Sequence, residues 1–364
     1  MTTHQHRLGS PGRWRTCAAA LLVAAAGMAA CTEPITSPAP SEHPSFAAGG
    51  LAVADVRLLQ SLPGASNSFS VARDANDLGQ IVGLSYSSTG LLVPVVWNAA
   101  GVPTELPPLV AGQGEAYALS DDGTVAAGYA FDGTNYRATR WIRSGASWAV
   151  DPLPLAVATD SCAANGTNAD GSMIVGVCRN SALNYMVAVV WRSGFPEVLM
   201  QGTATDVNES DQVVGSSSSG QGLLWSLPGG FMNIGTLGGL ASTPQAINES
   251  GDVVGYSDLA DGVAAHAFLW NTKKGMIDLG ALSGFQSVAE DVNDAAQVVG
   301  YFYIDLGGGN VTTHAALWAK GKGLDLGVPL GYTVSLAHAI TNTGMIVGYV
   351  GDGSGNRAVA WQLK

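Results

Sequence analysis

Three acidic turns carry the side-chain oxygens that a calcium site would use. They read Asp74-Ala-Asn-Asp77, Asp206-Val-Asn-Glu-Ser-Asp211 and Asp291-Val-Asn-Asp294, with oxygen side chains at alternate positions. A tight calcium loop needs about six or more oxygen ligands, but each turn here passes directly into Gln-Val-Val or Gln-Ile-Val. We therefore predict turns capped by Asx side chains and no cofactor. Calcium binding stays open as the alternative.

A second candidate site consists of aromatic residues with acids and amides nearby, in loops of variable length. Binding sites are commonly built from such loops on a rigid scaffold. Aromatic faces beside carboxylates suit neutral sugar rings or a cationic group. The predicted ligand-binding residues are Tyr86, Phe131, Tyr136, Tyr185, Phe285, Tyr303, Asp305 and Tyr332.

Two histidines, His266 and His314, occupy equivalent positions in neighbouring repeats. Metal ligands must converge to within about 2 Å of one point, and equivalent positions of adjacent repeats lie too far apart for that. A hydrogen-bonded structural role is expected instead. The chain contains no Gly-x-Ser-x-Gly elbow, no His-Glu-x-x-His motif and no phosphate-binding loop. We predict no catalytic residue and no metal site.

A pattern that recurs seven times is expected to position these residues. Its clearest copy, Ala246–Tyr256, contains an Asn-x-x-Gly turn followed by a Val-Val-Gly-Tyr strand. A period of 39 to 48 residues separates the closing glycines and indicates a propeller or a solenoid. These glycines are Gly83, Gly128, Gly176, Gly215, Gly255, Gly300 and Gly348.

Each copy continues with an apolar run that ends in tryptophan, followed by one more short run. One repeat therefore holds four short strands. The tryptophans are expected to pack between neighbouring repeats rather than to stack on sugars. They are Trp97, Trp141, Trp191, Trp225, Trp270, Trp318 and Trp361.

The two ends of the chain complement each other. Val53–Gln60 matches the run that follows tryptophan, whereas Ala358–Leu363 is a tryptophan run with no strand after it. Placing the N-terminal strand in the last repeat closes a ring and removes exposed sheet edges. A solenoid would need caps, and none is recognisable. We predict an all-β, seven-bladed β-propeller of four-stranded blades over residues 51–364.

The repeat around His266-Ala-Phe-Leu-Trp270 resembles a known family. It is preceded by Ala246-Ile-Asn-Glu-Ser-Gly251 and followed by Gly275-Met-Ile-Asp-Leu-Gly280, and His314-Ala-Ala-Leu-Trp318 is a weaker copy. The pattern is similar to the HAF repeat of the "probable extracellular repeat" proteins. That resemblance implies an exported repeat protein and no particular activity.

The first 31 residues are typical of an export signal. Three arginines precede an apolar run too short to span a bilayer. The segment ends Met28-Ala-Ala-Cys31, which resembles a bacterial lipobox and implies lipid attachment at Cys31. An ordinary secretory signal is the alternative. Residues 32–50, rich in Pro, Ser, Ala and Gly, are predicted to be a flexible tether. The resemblance implies a cell-envelope location, with the outer membrane favoured by Thr32.

Two cysteines, Cys162 and Cys178, flank the turn Asn168-Ala-Asp-Gly171 almost symmetrically. They should face each other across a hairpin, and an exported compartment permits a disulfide. No second pair of ligands accompanies them, which disfavours a metal site. We predict a disulfide.

The charge of the chain limits its partners. Without the signal, 13 basic residues face 28 acidic ones, a net charge of −15. Nucleic acid and anionic lipid both require a basic surface, so membrane contact is expected only through the lipid anchor. We predict a monomeric binding or scaffold lipoprotein for a glycan or a protein, without catalysis. A glycoside hydrolase or polysaccharide lyase is the alternative, and it requires acids, or His and Tyr, converging at the channel mouth.

Overall fold

β-Strands are the only regular elements of the structure, a computed structural model that describes residues 52–110, 112–227 and 229–364. These residues confirm the all-β prediction. They contain no helix of the length and apolarity that a membrane crossing requires. The predicted signal peptide, Cys31 and the tether at residues 32–50 lie outside the described residues.

Neighbouring strands pair antiparallel in sets of four. In chain order, β1 (Val53–Leu58) precedes sheet A, which contains β2 (Ser70–Ala75), β3 (Ile81–Tyr86), β4 (Leu92–Trp97) and β5 (Pro103–Glu105). Sheet B contains β6 (Gly114–Leu119), β7 (Val125–Phe131), β8 (Tyr136–Ser144) and β9 (Ser147–Pro152).

One long strand belongs to two sets. Sheet C contains β10 (Ser161–Thr167), β11 (Met173–Asn180), β12 (Tyr185–Arg192) and the first part of β13 (Phe195–Val207). Sheet D contains the rest of β13, β14 (Gln212–Ser217), β15 (Gly222–Ser226) and β16 (Phe231–Asn233). Because β13 runs through without a break, these eight strand segments form one continuous seven-stranded sheet.

The remaining strands form three further sets. Sheet E contains β17 (Gly238–Ile247), β18 (Val253–Leu259), β19 (Ala265–Asn271) and β20 (Gly275–Asp278). Sheet F contains β21 (Gln286–Val292), β22 (Val298–Gly307), β23 (Asn310–Ala319) and β24 (Lys322–Gly327). Sheet G contains β25 (Val334–Ile340), β26 (Met345–Gly351) and β27 (Asn356–Leu363), and β1 pairs with β27 as its fourth strand.

The hydrophobic core lies between successive sheets. Each apolar cluster combines side chains of two neighbouring sheets, and one of them joins sheet A to sheet G. All seven repeated tryptophans are at most 5% exposed within these clusters. Their predicted packing role is confirmed. Strands buried on both faces explain why runs such as Val-Val-Gly contain so few polar residues.

Every closing glycine lies opposite a β-bulge in the first strand of its sheet. In sheet F the pairing shifts between Ala289 and Asp291, so Glu290 is the extra residue. A Cβ at Gly300 would lie 2.0 Å from the carbonyl oxygen of Val288. The six equivalent glycines face the same backbone contact at 2.0 to 2.1 Å. The repeat keeps glycine there because the bulge brings backbone where a side chain would be.

The turns that join the first and second strands share one end of the sheets, called the turn face below. The amide of Asn208 donates to the carbonyl of Asn248 at 3.0 Å, and that of Asn248 donates to Asn293 at 3.0 Å. Thr343 likewise donates its backbone N–H to Asp77 at 3.0 Å, which joins sheet G to sheet A. Because strands alternate in direction, the turns between third and fourth strands share this end. The connections between second and third strands and between successive sheets lie at the opposite end, the loop face.

The predicted disulfide is present. Cys162 of β10 and Cys178 of β11 are directly opposite in the antiparallel ladder and are covalently bonded. Both residues are at most 4% exposed, inside the cluster between sheets B and C. The bond therefore closes the hairpin that holds the Asn168 turn.

Candidate functional site

The β-bulges turn one polar side chain of each sheet away from the hydrophobic layers. A bulge leaves its extra residue unpaired and re-aims the side chain. All seven bulge residues are polar or charged and half-buried. They are Arg73, Tyr117, Asn165, Thr205, Gln245, Glu290 and His338.

Arg73 is the hub of this group because it contacts residues of two neighbouring sheets. Its Nε donates to Glu115 Oε1 at 2.6 Å, and its Nη1 lies 3.3 Å from His338 Nε2. Its guanidinium carbon lies 5.6 Å from the ring centroid of Tyr117, a cation–π distance. Sheets A, B and G thus meet at one charged cluster.

Sheet F joins the same cluster through Glu290. Burial raises the pKa of Glu290 to about 7, and the charge of Arg73 pulls that pKa back down. The amide of Gln245 in sheet E donates to Glu290 at 3.4 Å. Glu290 is therefore close enough to Arg73 for their charges to interact, although sheets A and F are not adjacent.

Most of the cluster is uncharged near neutral pH. Burial, together with the charge of Arg73, holds the pKa of His338 well below its ordinary value. Burial also raises the pKa of the tyrosines that face the cluster, Tyr301 and Tyr349 among them. Burial, the largest single influence, would lower the pKa of Arg73, but the charge and hydrogen bond of Glu115 together with the charges of Tyr117 and Glu290 raise it and keep the guanidinium charged. The site therefore offers many hydrogen-bonding groups around one matched ion pair.

Aromatic side chains extend from the cluster to the loop face along two sheets. In sheet B, ring centroids follow one another from Tyr117 to Tyr129 (5.6 Å), to Tyr136 (5.1 Å) and to Phe131 (5.6 Å). We call these four residues the B ladder. The Tyr129 hydroxyl also donates to Glu115 at 3.3 Å, so the ladder is tied to the ion pair.

Sheet F carries a matching series. The rings of Tyr301 and Tyr303 lie 5.6 Å apart, and Phe285 lies 6.2 Å beyond Tyr303. We call these three residues the F ladder. A cleft of about 290 Å³ opens beside it and is also lined by Gln245 and Gln286. Rings with amides nearby can both stack on a ligand and hydrogen-bond to it.

Half of the predicted ligand-binding residues belong to these ladders. Phe131 and Tyr136 are in the B ladder, and Phe285 and Tyr303 are in the F ladder. The other four are separate from them. Tyr86 pairs with Phe69, Asp305 caps a tight turn through the N–H of Gly307, and Tyr185 and Tyr332 pack on inter-sheet clusters.

Sequence reasoning missed the centre of the site, namely Arg73, Glu115, Gln245, Glu290 and His338. A signal was present in the repeat itself. The bulge residue follows the alanine or proline that pairs with the closing glycine, and its type differs in every copy. Because the residue type at this position varies within an otherwise uniform repeat, the fold does not require a particular side chain there.

The acidic residues considered for calcium have another role. Asp206 accepts the N–H of Val207 at 2.8 Å and that of Ile247, in the next sheet, at 2.9 Å. Asp74 and Asp291 make the equivalent pair of bonds. These carboxylates cap backbone amides between sheets. In the part of the chain that the structure describes, no three His, Cys, Asp or Glu side chains are grouped to hold a metal ion.

Two histidines at equivalent positions of sheets E and F bind aspartates of the following strand. His266 Nδ1 lies 2.9 Å from Asp278, and His314 Nδ1 lies 2.9 Å from Asp325. Asp278 and Asp325 also accept the N–H of Gly280 and Gly327. The His and the Asp-Leu-Gly of the motif are thus linked by one hydrogen-bond arrangement.

Comparison with known proteins identifies the fold. No protein-family model matches the chain, and a search of curated proteins finds no relative. Among solved structures, the β-propeller domain of the Trilobed protease from Pyrococcus furiosus is similar, with a TM-score of 0.52 and 13% identity over 81% of this chain and 97% of that one. The chain is a β-propeller.

Two enzymes also share this architecture. Oligogalacturonate lyase from Vibrio parahaemolyticus aligns with a TM-score of 0.55 and 9% identity, over 86% of this chain and 98% of that one. A puromycin hydrolase aligns with a TM-score of 0.55 and 11% identity, over 83% of this chain and 54% of that one. At such low identity the likeness concerns the fold alone.

Proposed function

We propose that this protein is a cell-envelope lipoprotein whose β-propeller binds a glycan at the loop-face mouth of its central channel, without turning it over. One observation carries the proposal. Arg73, Glu290 and His338 converge from three sheets on a space reached by tyrosines, although bulge positions make no demand for polar side chains. Burying polar groups costs free energy, so half-buried polar groups that the fold does not require indicate a ligand.

The proposed scaffold is a closed ring of seven blades, sheets A to G. Each first strand contacts the first strand of the next sheet, and β2 also contacts β25. The pairing of β1 with β27 and the apolar cluster between sheets A and G support closure at the same place. A closed ring has a channel along its axis, and the bulge residues would line it.

A sugar fits the chemistry of this mouth better than a peptide or an ion does. Tyrosine rings present flat faces to the apolar side of a sugar, and their hydroxyls add hydrogen bonds. Arg73 already has Glu115 as its counter-ion, so the cluster does not call for a charged ligand. The strongly acidic chain also disfavours anionic partners.

The envelope anchor is proposed from the N-terminal sequence. The Met28-Ala-Ala-Cys31 motif supports lipid attachment, and the disulfide is compatible with an extracytoplasmic protein. The HAF-like repeats of sheets E and F support kinship with the exported extracellular-repeat proteins. Metabolic labelling with palmitate tests the anchor, because label should enter the wild type and not Cys31→Ser.

The binding proposal is tested by probing a glycan array with the purified protein and measuring affinity for any retained glycan by calorimetry. Arg73→Met should weaken binding at least about tenfold, because it removes the hub of the cluster. Arg143→Met, at an arginine on the exposed end of sheet B, is the matched control and should bind normally. Absence of binding to every glycan would refute the proposal.

An enzyme is the second candidate, and the protonation of Glu290 favours it. A carboxyl group whose pKa is about 7 is suited to general acid catalysis at neutral pH. The retained glycan should therefore be assayed for new reducing ends and for unsaturated products. Catalysis would be established if the wild type releases such products and Glu290→Gln still binds the glycan but releases none. Binding by the wild type without product release would support the non-catalytic function.

A further inference from the structure

The two aromatic ladders lie on opposite sides of the charged cluster. The B ladder belongs to sheet B and the F ladder to sheet F, and sheets A and G separate them. Sheets A and G supply Arg73 and His338, which lie 3.3 Å apart between the ladders. The B ladder begins at the bulge residue Tyr117, the F ladder begins at Tyr301 beside the bulge of sheet F, and both end at the loop face.

A single sugar ring would not reach from one ladder to the other. The ladders end at Phe131 and Phe285, which lie at the loop-face ends of sheets that are three places apart in the series of contacts. A ligand that touches both ends and the cluster between them must be an extended chain. The open cleft of about 290 Å³ beside Tyr301 and Tyr303 extends this path at one end.

We infer that the mouth binds a neutral oligosaccharide chain that runs from the B ladder, over Arg73 and His338, to the F ladder and its adjoining cleft. This inference rests on the proposed glycan-binding function and adds the length and charge of the ligand. The rings of the ladders stack on sugars at the two ends. The amides of Gln245 and Gln286 and the central polar groups hydrogen-bond to its hydroxyls.

The charges of the site disfavour acidic sugars. Glu115 accepts from Arg73 Nε at 2.6 Å and balances the charge of the guanidinium, so the cluster offers a uronate no unbalanced cation. A uronate bound to the remaining N–H groups of Arg73 would lie beside the carboxylate of Glu115, and like charges in a half-buried site repel each other. Glu290 lies near the same arginine and adds to that repulsion whenever it is ionised.

The test uses neutral and uronate-containing oligosaccharides of one to eight sugar units, with affinity measured for the purified wild-type chain and for two variants. Phe131→Ala shortens the B ladder and Phe285→Ala shortens the F ladder. Each should weaken the longest bound neutral oligosaccharide by about tenfold and leave the shortest bound one unchanged. Phe231→Ala, at an aromatic of sheet D that is 62% exposed and outside both ladders, is the control and should change neither affinity.

Each outcome has a distinct meaning. Affinity that rises with chain length and is lowered by both ladder variants supports the inference. Three results would overturn the inference and leave glycan binding intact. They are monosaccharides bound as tightly as long chains, a preference for uronates, and a loss of affinity in only one of the two ladder variants. No binding to any member of the series or of the wider array would overturn the proposed function itself. Tyr136→Ala and Tyr303→Ala serve as second variants if either phenylalanine variant fails to fold.

Discussion

Replacing a closing glycine tests the relation between the bulge and the site directly. In Gly300→Ala, the new Cβ would lie 2.0 Å from the carbonyl oxygen of Val288, whereas ordinary contact begins at 3.4 Å. Strands β21 and β22 would therefore have to move apart by about 1.4 Å at this point. The obstacle is backbone, so no side-chain rotation can relieve it.

The cost follows from two effects. Overpacking in a close-packed interior costs about 1–3 kcal/mol, and the separation would weaken one or two ladder hydrogen bonds worth about 1 kcal/mol each. We expect the free energy of unfolding to fall by about 2–5 kcal/mol. For a domain of this size that corresponds to a decrease in Tm of about 3–8 °C.

Thermal unfolding followed by circular dichroism measures this effect. Gly230→Ala is the matched control, because no atom lies within 4 Å of the position of its Cβ. It should leave Tm unchanged or raise it slightly. The displaced strand carries Tyr301 and its partner carries Glu290, so Gly300→Ala should also weaken glycan binding. A decrease in Tm of less than about 2 °C would refute the bulge argument.

Three further perturbations should have measurable effects on stability. Reducing the bond between Cys162 and Cys178 should lower the free energy of unfolding by about 3 kcal/mol. The control, a Cys162→Ser, Cys178→Ser variant, should be insensitive to reductant. An equal Tm of the wild type with and without reductant would contradict this prediction. Asp206→Asn should cost about 1–3 kcal/mol, because the amide nitrogen cannot accept the N–H of Ile247, and unchanged denaturant unfolding would argue against the inter-sheet cap. Stability should also fall as pH rises from 5 to 8. Burial raises the pKa of Glu290 and of Asp206 to about 7, above about 4 in the unfolded chain, so their stabilisation is complete below pH 4 and lost as pH passes 7. Glu290→Gln should flatten this dependence, and a Tm that rises over the range would show the opposite sign.

The repeat explains how much of the fold was predictable. Asn-x-x-Gly, Val-Val-Gly-Tyr and the tryptophan run each have a local physical reason, so the four strands of a repeat could be assigned from residue types. The disulfide was predictable for the same reason, because Cys162 and Cys178 are spaced evenly about one turn. The shared strand β13 was not, since continuity across two sheets depends on their relative orientation.

Only some members of the aromatic ladders could be predicted from the sequence. Tyr136 and Tyr303 were singled out as loop aromatics, but they are half-buried and lie in strands β8 and β22. Tyr185 and Tyr332 have the same residue type but pack against inter-sheet clusters, and residue type alone does not separate the two environments. The position of an aromatic residue in the repeat indicates which end of its sheet it is near, whereas the neighbouring sheet decides what its ring contacts.

The sequence by itself determined the repeat, the strands of each repeat, the tryptophan core and the disulfide, because each depends on residues within one repeat. Only the tertiary structure decided which polar residues meet. Arg73, Glu115, Glu290 and His338 are up to 265 residues apart along the chain, and they converge because successive sheets pack side by side with a bulge at the same level. The register that produces those bulges comes from pairing between strands, which side-chain patterns do not specify to a single residue.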